Sequence, residues 1–201
     1  MARKMVCIAA LVSFLAGAAF AAENKTPEKQ AADAKAMEEA FMKASTPGAE
    51  HQRLAGLEGQ WKATVKMWQD PSKPAETSEG TCEMKMILGG RYLQQNHKGT
   101  AMGQPFEGVG LTAYDNMKKK YVSTWIDNMG TGVLTWEGLY DASSSSITMM
   151  GEYMDPMSGK MKKSRTVTKI VSPDQQVFEM YDKASGAKEM KVLEITYDRM
   201  K

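Results

Sequence analysis

Gly59-Gln60-Trp61-Lys62-Ala63-Thr64-Val65-Lys66-Met67 is the stretch on which the reading of the fold turns. Trp61, Ala63, Val65 and Met67 fall on one side of a two-residue period, and Lys62, Thr64 and Lys66 fall on the other. That is the pattern of a strand with one buried face. Upstream the period is different. Pro27 to Ala44 is rich in Ala, Glu, Lys and Gln and sets Met37, Ala40, Phe41 and Ala44 at helical spacing, which predicts an amphipathic helix. Pro47-Gly48 ends it. Glu50 to Leu57 then reads as a second short helix that presents Leu54 and Leu57 to the core and braces one end of the strand domain.

Downstream the alternation continues to the C-terminus. Glu76 to Leu88 and Arg91 to Lys98 meet at Gly89-Gly90, a hairpin corner. Further strands are read at Pro105 to Tyr114, Lys120 to Asn128, Gly132 to Tyr140, Ser146 to Tyr153, Met161 to Val171, Gln176 to Tyr181 and Lys188 to Tyr197. Turn residues such as Asp115-Asn116, Asp155-Pro156 and Ser172-Pro173-Asp174 separate them. About ten strands at short spacing, with no helix between them, predict an all-β fold: an antiparallel up-and-down barrel closed on itself, with a short N-terminal helical extension.

The N-terminus reads as an export signal. Arg3 and Lys4 precede an apolar run from Met5 to Phe20, and Ala19 and Ala21 have the spacing a signal peptidase recognises, so cleavage is expected after Ala21 or Ala22. The run is shorter than the roughly 20 apolar residues of a spanning helix. Cys7 lies near the start of the run, whereas a lipoprotein cysteine would come after it. The expected organisation is a signal peptide at 1–21, a helical or flexible extension at 22–46 and a barrel at 47–201. The destination is the periplasm or the exterior, with no stable membrane anchor after cleavage.

Removing the leader changes the charge. The chain has 26 Lys and Arg against 24 Asp and Glu, and residues 1–21 carry Arg3 and Lys4 but no acid, so the mature balance is 24 against 24. A near-neutral protein lacks the basic footprint of a nucleic-acid binder. Lys118-Lys119-Lys120 reads as a solvated hairpin tip. Cys82 is the one cysteine left, so no intramolecular disulfide forms. It alternates with Met84, Met86 and Leu88, which assigns it to a buried strand face.

Two resemblances rest on named residues. Gly59-Gln60-Trp61 after a short helix, with Arg199 just beyond the last strand, resembles the Gly-x-Trp and C-terminal Arg signature of calycins, the lipocalin and fatty-acid-binding-protein superfamily. The resemblance implies that Arg199 packs across Trp61 and closes one barrel end, a structural role for Gly59, Trp61 and Arg199. From Pro47 to Arg199 the chain is similar to the bacterial domain-of-unknown-function family fifteen seventy-nine. The motifs are Pro47-Gly48-Ala49-Glu50-His51, Gly89-Gly90-Arg91-Tyr92-Leu93, Pro105-Phe106-Glu107-Gly108, Tyr114-Asp115-Asn116, Ser123-Thr124-Trp125-Ile126-Asp127, and Asp155-Pro156 with Gly159. That family implies a relative and carries no established activity.

Chemistry-bearing residues are few. His51 and His97 are the only histidines and stand in no metal-ligand spacing, and neither a Gly-x-Ser-x-Gly elbow nor a nucleotide-binding loop occurs. His51 reads as a capping or packing residue. Nitrobindins, ten-stranded relatives of calycins, hold haem through a histidine near the C-terminus; nothing beyond His97 supplies one here, and no cofactor is implied.

Candidate ligand-binding residues are Arg91, His97, Trp125, Asp127 and Trp136. Arg91 shares a face with Leu93, Gln95 and His97, Trp125 with Asp127, and Trp136 with Leu134. Arg165, Glu179 and Tyr181 have ambiguous facing. If the faces point inward they make an apolar cavity with polar anchors, the usual form of a small-molecule site.

The expected function is therefore binding of a small apolar or amphipathic ligand. One alternative is a hydrolase or isomerase using Asp127 or His97 as general base with Arg91 stabilising an anion. Another is an envelope interaction protein with a solid barrel and an apolar patch at Met37 and Phe41. A third is Cu(I) binding by thioethers of Met84 and Met86, Met149 and Met150, and Met154, Met157 and Met161, groups that otherwise serve as adaptable core filling.

Overall fold

The computed structural model describes residues 26–70, 72–156, 158–183 and 188–201. The alternating stretches form ten strands: β1 (Gly59–Met67), β2 (Glu76–Ile87), β3 (Tyr92–Ala101), β4 (Gln104–Asp115), β5 (Lys120–Asp127), β6 (Leu134–Asp141), β7 (Ser146–Asp155), β8 (Lys160–Ser172), β9 (Gln175–Lys183) and β10 (Met190–Arg199). Each pairs antiparallel with its chain neighbour, and β1 closes on β10 with Trp61 opposite Arg199 and Val65 opposite Ile195. The sheet is a closed up-and-down barrel, the fold expected from the alternation, and closure leaves no strand edge unpaired.

Aspartates set where strands stop. The side chains of Asp70, Asp115, Asp127, Asp141 and Asp155 each accept a backbone N–H two or three residues on, from Ser72, Met117, Met129, Ser143 and Ser158. Such an Asx turn offers the chain a local hydrogen bond in place of the next ladder bond. Lys118, Lys119 and Lys120 lie at the β4–β5 turn, with Lys118 and Lys120 both paired to Glu137 of β6.

Two helices precede the barrel, α1 (Pro27–Ser45) and α2 (Ala49–Ala55). The chain divides into a unit that ends at Phe41 and a unit spanning Met42–Lys201. In the first, Met37 and Phe41 are exposed. The leader at 1–21 lies outside the described residues. Among those described, no helix is long and apolar enough to cross a membrane.

One barrel end is plugged. Leu54 and Leu57 are buried beside Trp61, whose indole N–H donates to the Leu57 carbonyl at 3.0 Å. The Arg199 guanidinium lies 4.1 Å over the Trp61 ring and donates to the carbonyls of Gly56, Glu58 and Pro173. Gly59 adopts a φ of +140°, and a β-carbon there would overlap Arg199 Nη1. The glycine therefore makes the space that lets the arginine reach across the tryptophan.

On the same plug, His51 is buried and accepts the Gly48 N–H through Nδ1 at 3.0 Å, and burial lowers its pKa. Tyr121 donates to the Glu50 carboxylate, and Arg53 stacks 3.5 Å over Tyr140. The end of α1 is tied to this rim. The Asn116 amide donates to the carbonyls of Ala44 (3.0 Å) and Thr46 (2.8 Å), and Arg91 donates to that of Ser45 (3.0 Å). These bonds satisfy carbonyls that a helix terminus leaves without intrahelical partners.

Candidate functional site

Away from the plug the barrel is hollow. A cavity of about 930 Å³ runs from Leu54 and Leu57 to the opposite rim, where Gln69, Glu76, Met102 and Met129 surround it. That volume lies within the roughly 300–1,000 Å³ of small-molecule sites. The wall comes from inward positions of the strands, including Leu93, Trp125, Trp136, Ile147, Phe178 and Ile195.

Both lining tryptophans are seated by glycines on neighbouring strands. Gly110 is opposite Trp125 in the β4–β5 register, and a β-carbon there would stand 3.1 Å from the ring; at Gly108 it would overlap the indole outright. Trp136 of β6 lies over Gly151 of β7 in the same way, its cross-strand partner. A large ring laid over a bare backbone fills the space that the glycine leaves. The indole N–H groups fix the orientations: Trp125 donates to Asp127 Oδ2 at 2.9 Å, and Trp136 to Ser164 Oγ at 3.2 Å.

Polar atoms interrupt this wall at intervals. Thr112 and Ser123 hydroxyls bond at 3.0 Å, and the Gln95 and Gln176 amides both donate to the Met84 sulfur, at 3.7 and 3.3 Å. His97 is only 5% exposed and Thr166 only 1%, yet His97 Nδ1 and Thr166 Oγ1 have no hydrogen-bond partner among the described residues. Burial lowers the His97 pKa, which favours the neutral imidazole. A buried polar atom without a partner costs about 1–3 kcal/mol, so the wall carries that cost at both places.

Four of the five candidate ligand-binding residues, His97, Trp125, Asp127 and Trp136, line this cavity. Arg91 does not. It belongs to the turn that joins β2 to β3, where Leu88, Gly89 and Gly90 all take positive φ, so the strand alternation does not extend to it. Its guanidinium turns back to the Leu88 and Ser45 carbonyls at the plugged end.

The general-base set is likewise not assembled. His97 and Asp127 both pair with Gly108, from β3 and β5, which sets their α-carbons about 10 Å apart, and the Trp125 indole occupies the gap over that glycine. Arg91 is six residues from His97 along the chain, on the order of 20 Å away.

Other candidates are accounted for elsewhere. Arg165 lies 4.0 Å over the Tyr181 ring and pairs with Glu189, while Lys169 and Lys191 hold Glu179, none of them lining the cavity. Burial pushes the Cys82 thiol up to about 12, which makes it a poor nucleophile. The methionine groups are dispersed: Met149 lines the lumen while Met150 is exposed, and Met154 faces Met161 across β7–β8, both exposed. Met157 lies outside the described residues. Among the described residues no group of three or more His, Cys, Asp or Glu is placed to hold a metal ion.

Sequence reasoning reached the inward tryptophans but missed Phe106, Thr166 and the glycine seats. Phe106 packs edge-on to His97 at 5.8 Å and roughly parallel to Trp125 at 6.4 Å between centroids. The Pro105-Phe106-Glu107-Gly108 motif held that signal, since Phe106 and Gly108 share the parity of the inward face.

A family model described as a protein of unknown function, DUF1579, matches residues 46–199. The chain belongs to the DUF1579 family. No curated protein sequence matches it. Two solved structures share the barrel with this DUF1579 chain. Rv2717c from M. tuberculosis is 13% identical, covering 78% of this chain and 100% of that one with a TM-score of 0.55. The S-type phycobiliprotein lyase CPES from Guillardia theta is 9% identical, covering 77% and 99% with a TM-score of 0.51. At these identities the likeness is one of fold.

Proposed function

We propose that this DUF1579 protein is an exported binding protein that holds one small apolar or amphipathic molecule inside its barrel. The observation that carries the reading is the cavity of about 930 Å³, whose largely apolar wall is interrupted by Gln95, Thr112, Ser123 and Asp127. Burying a guest's apolar surface there contributes about 25 cal/mol per Å² before the costs of association, and the polar atoms orient it. Native mass spectrometry of protein freshly purified from its own host tests this: a bound mass of a few hundred daltons that is released by denaturation is expected. A ligand-free mass, with no small molecule in an organic extract, would count against it.

Export rests on Arg3, Lys4, the apolar run to Phe20 and the Ala19-x-Ala21 spacing. The mature protein should begin at Ala22 or Glu23 by intact mass and fractionate with the cell envelope or medium. A chain retaining residues 1–21 in the cytoplasm would refute it.

A further inference from the structure

We infer that the lumen selects cationic and neutral amphiphiles and discriminates against carboxylates and other anions. The inference rests on the small-ligand reading above and names the ligand class for that same cavity. Its basis is the charge carried by the wall. The acidic side chains lining the cavity are Glu76 and Asp127, and no lysine or arginine lines it among the described residues.

The rest of the barrel interior has the same bias. Asp182 continues the inward parity of Gln176, Phe178 and Met180 on β9. It accepts the Tyr153 hydroxyl at 2.5 Å through one carboxylate oxygen, while its other oxygen, Oδ1, has no partner among the described residues. Lys162 on β8 has the inward parity of Thr166 and Thr168, but Asp155 holds its ammonium at 3.1 Å. The cations of the plug are committed too, Arg53 over Tyr140 and Arg199 over Trp61. Among the described residues, the interior keeps no uncommitted cation to receive an anion.

A carboxylate entering this space would lose its hydration and find acidic side chains on the wall but no cation, an arrangement that buried charges avoid. An ammonium meets the reverse. Glu76 at the rim and Asp127 beside Trp125 each offer opposite charge, and the Trp125 and Phe106 rings attract a cation through their faces. A hydroxyl head group needs neither charge, and the wall carries the Thr112 and Ser123 hydroxyls and the Gln95 amide among its apolar side chains.

The test compares decylamine, 1-decanol and decanoate, which share one chain and differ in the head group, by calorimetric titration of the full mature protein at neutral pH. Decylamine is expected to bind about tenfold or more tightly than decanoate, with decanol between them. Asp127→Asn and Glu76→Gln should each narrow the gap between decylamine and decanol. Glu76 sits at the rim and supports no indole, so that variant reads the effect even if Asp127→Asn perturbs Trp125. Decanoate binding as tightly as decylamine, or a gap unchanged in Glu76→Gln and Asp127→Asn alike, would overturn the inference while leaving the small-ligand reading standing. Failure of all three to bind would overturn both.

Discussion

Gly59, Trp61 and Arg199 act as one unit: the glycine clears the space, the tryptophan fills the barrel floor, and the arginine ties the ring to three backbone carbonyls. Trp61→Ala removes a ring that is 1% exposed. The variant should lose about 3–5 kcal/mol in urea unfolding, and ligand affinity of the protein that remains folded should change little. Gly108→Ala acts at the other extreme: its new methyl group overlaps Trp125, so it should shift the tryptophan emission and weaken ligand binding more than it lowers stability.

Protonation gives a further test at this scale. Burial alone would raise the Glu179 pKa, but hydrogen bonds and charges from Lys169 and Lys191 outweigh it and hold the carboxyl at about 2, below its ordinary 4.5. A depressed carboxylate contributes stability that is present above about 4.5 and lost as the pH falls toward 2. Glu179→Gln should flatten the loss of thermal stability across that window. An unchanged acid profile in the variant would contradict the assignment.

Among the elements, α2 is a plug and the ten strands are its socket. Leu54→Ala opens a cavity under the plug and is expected to cost about 2–5 kcal/mol by denaturant titration. Asn116→Ala frees the α1 terminus and should raise amide exchange at residues 42–46 while leaving the barrel strands protected. This level is the most legible in the sequence. Two-residue alternation and turn residues between the runs locate all ten strands to within a few residues, because both signals are local.

Arg91 shows where that reasoning stops, since parity counted through a Gly-Gly turn says nothing about the side chain beyond it. The glycine seats show a second limit. Gly108 and Gly110 become the bed of Trp125 only through the β4–β5 register, and the alternation of a single strand does not specify its register with the next. The plug is partly legible, because Gly59, Trp61 and Arg199 have a spacing that resembles a known signature. The hydrogen bonds from Arg199 to the Gly56, Glu58 and Pro173 carbonyls emerge only in three dimensions.

At the scale of the molecule, the proposed function treats the closed barrel with one plugged end as a container whose contents define what it does. On that reading the wall chemistry favours apolar or amphipathic guests, and its charge favours heads that are not anionic. Stability and binding are expected to separate spatially, the first at Trp61 and Arg199 and the second toward the open rim. The most direct measurement is a fluorescence titration with the neutral probe Nile red on the wild type and on Thr168→Phe, which places a ring in the lumen. Saturable binding of one probe per wild-type molecule, lost in Thr168→Phe while that variant keeps its fold by circular dichroism, is the predicted result. Absence of binding to the wild type, or equal binding by the filled variant, would contradict a hollow, ligand-holding barrel.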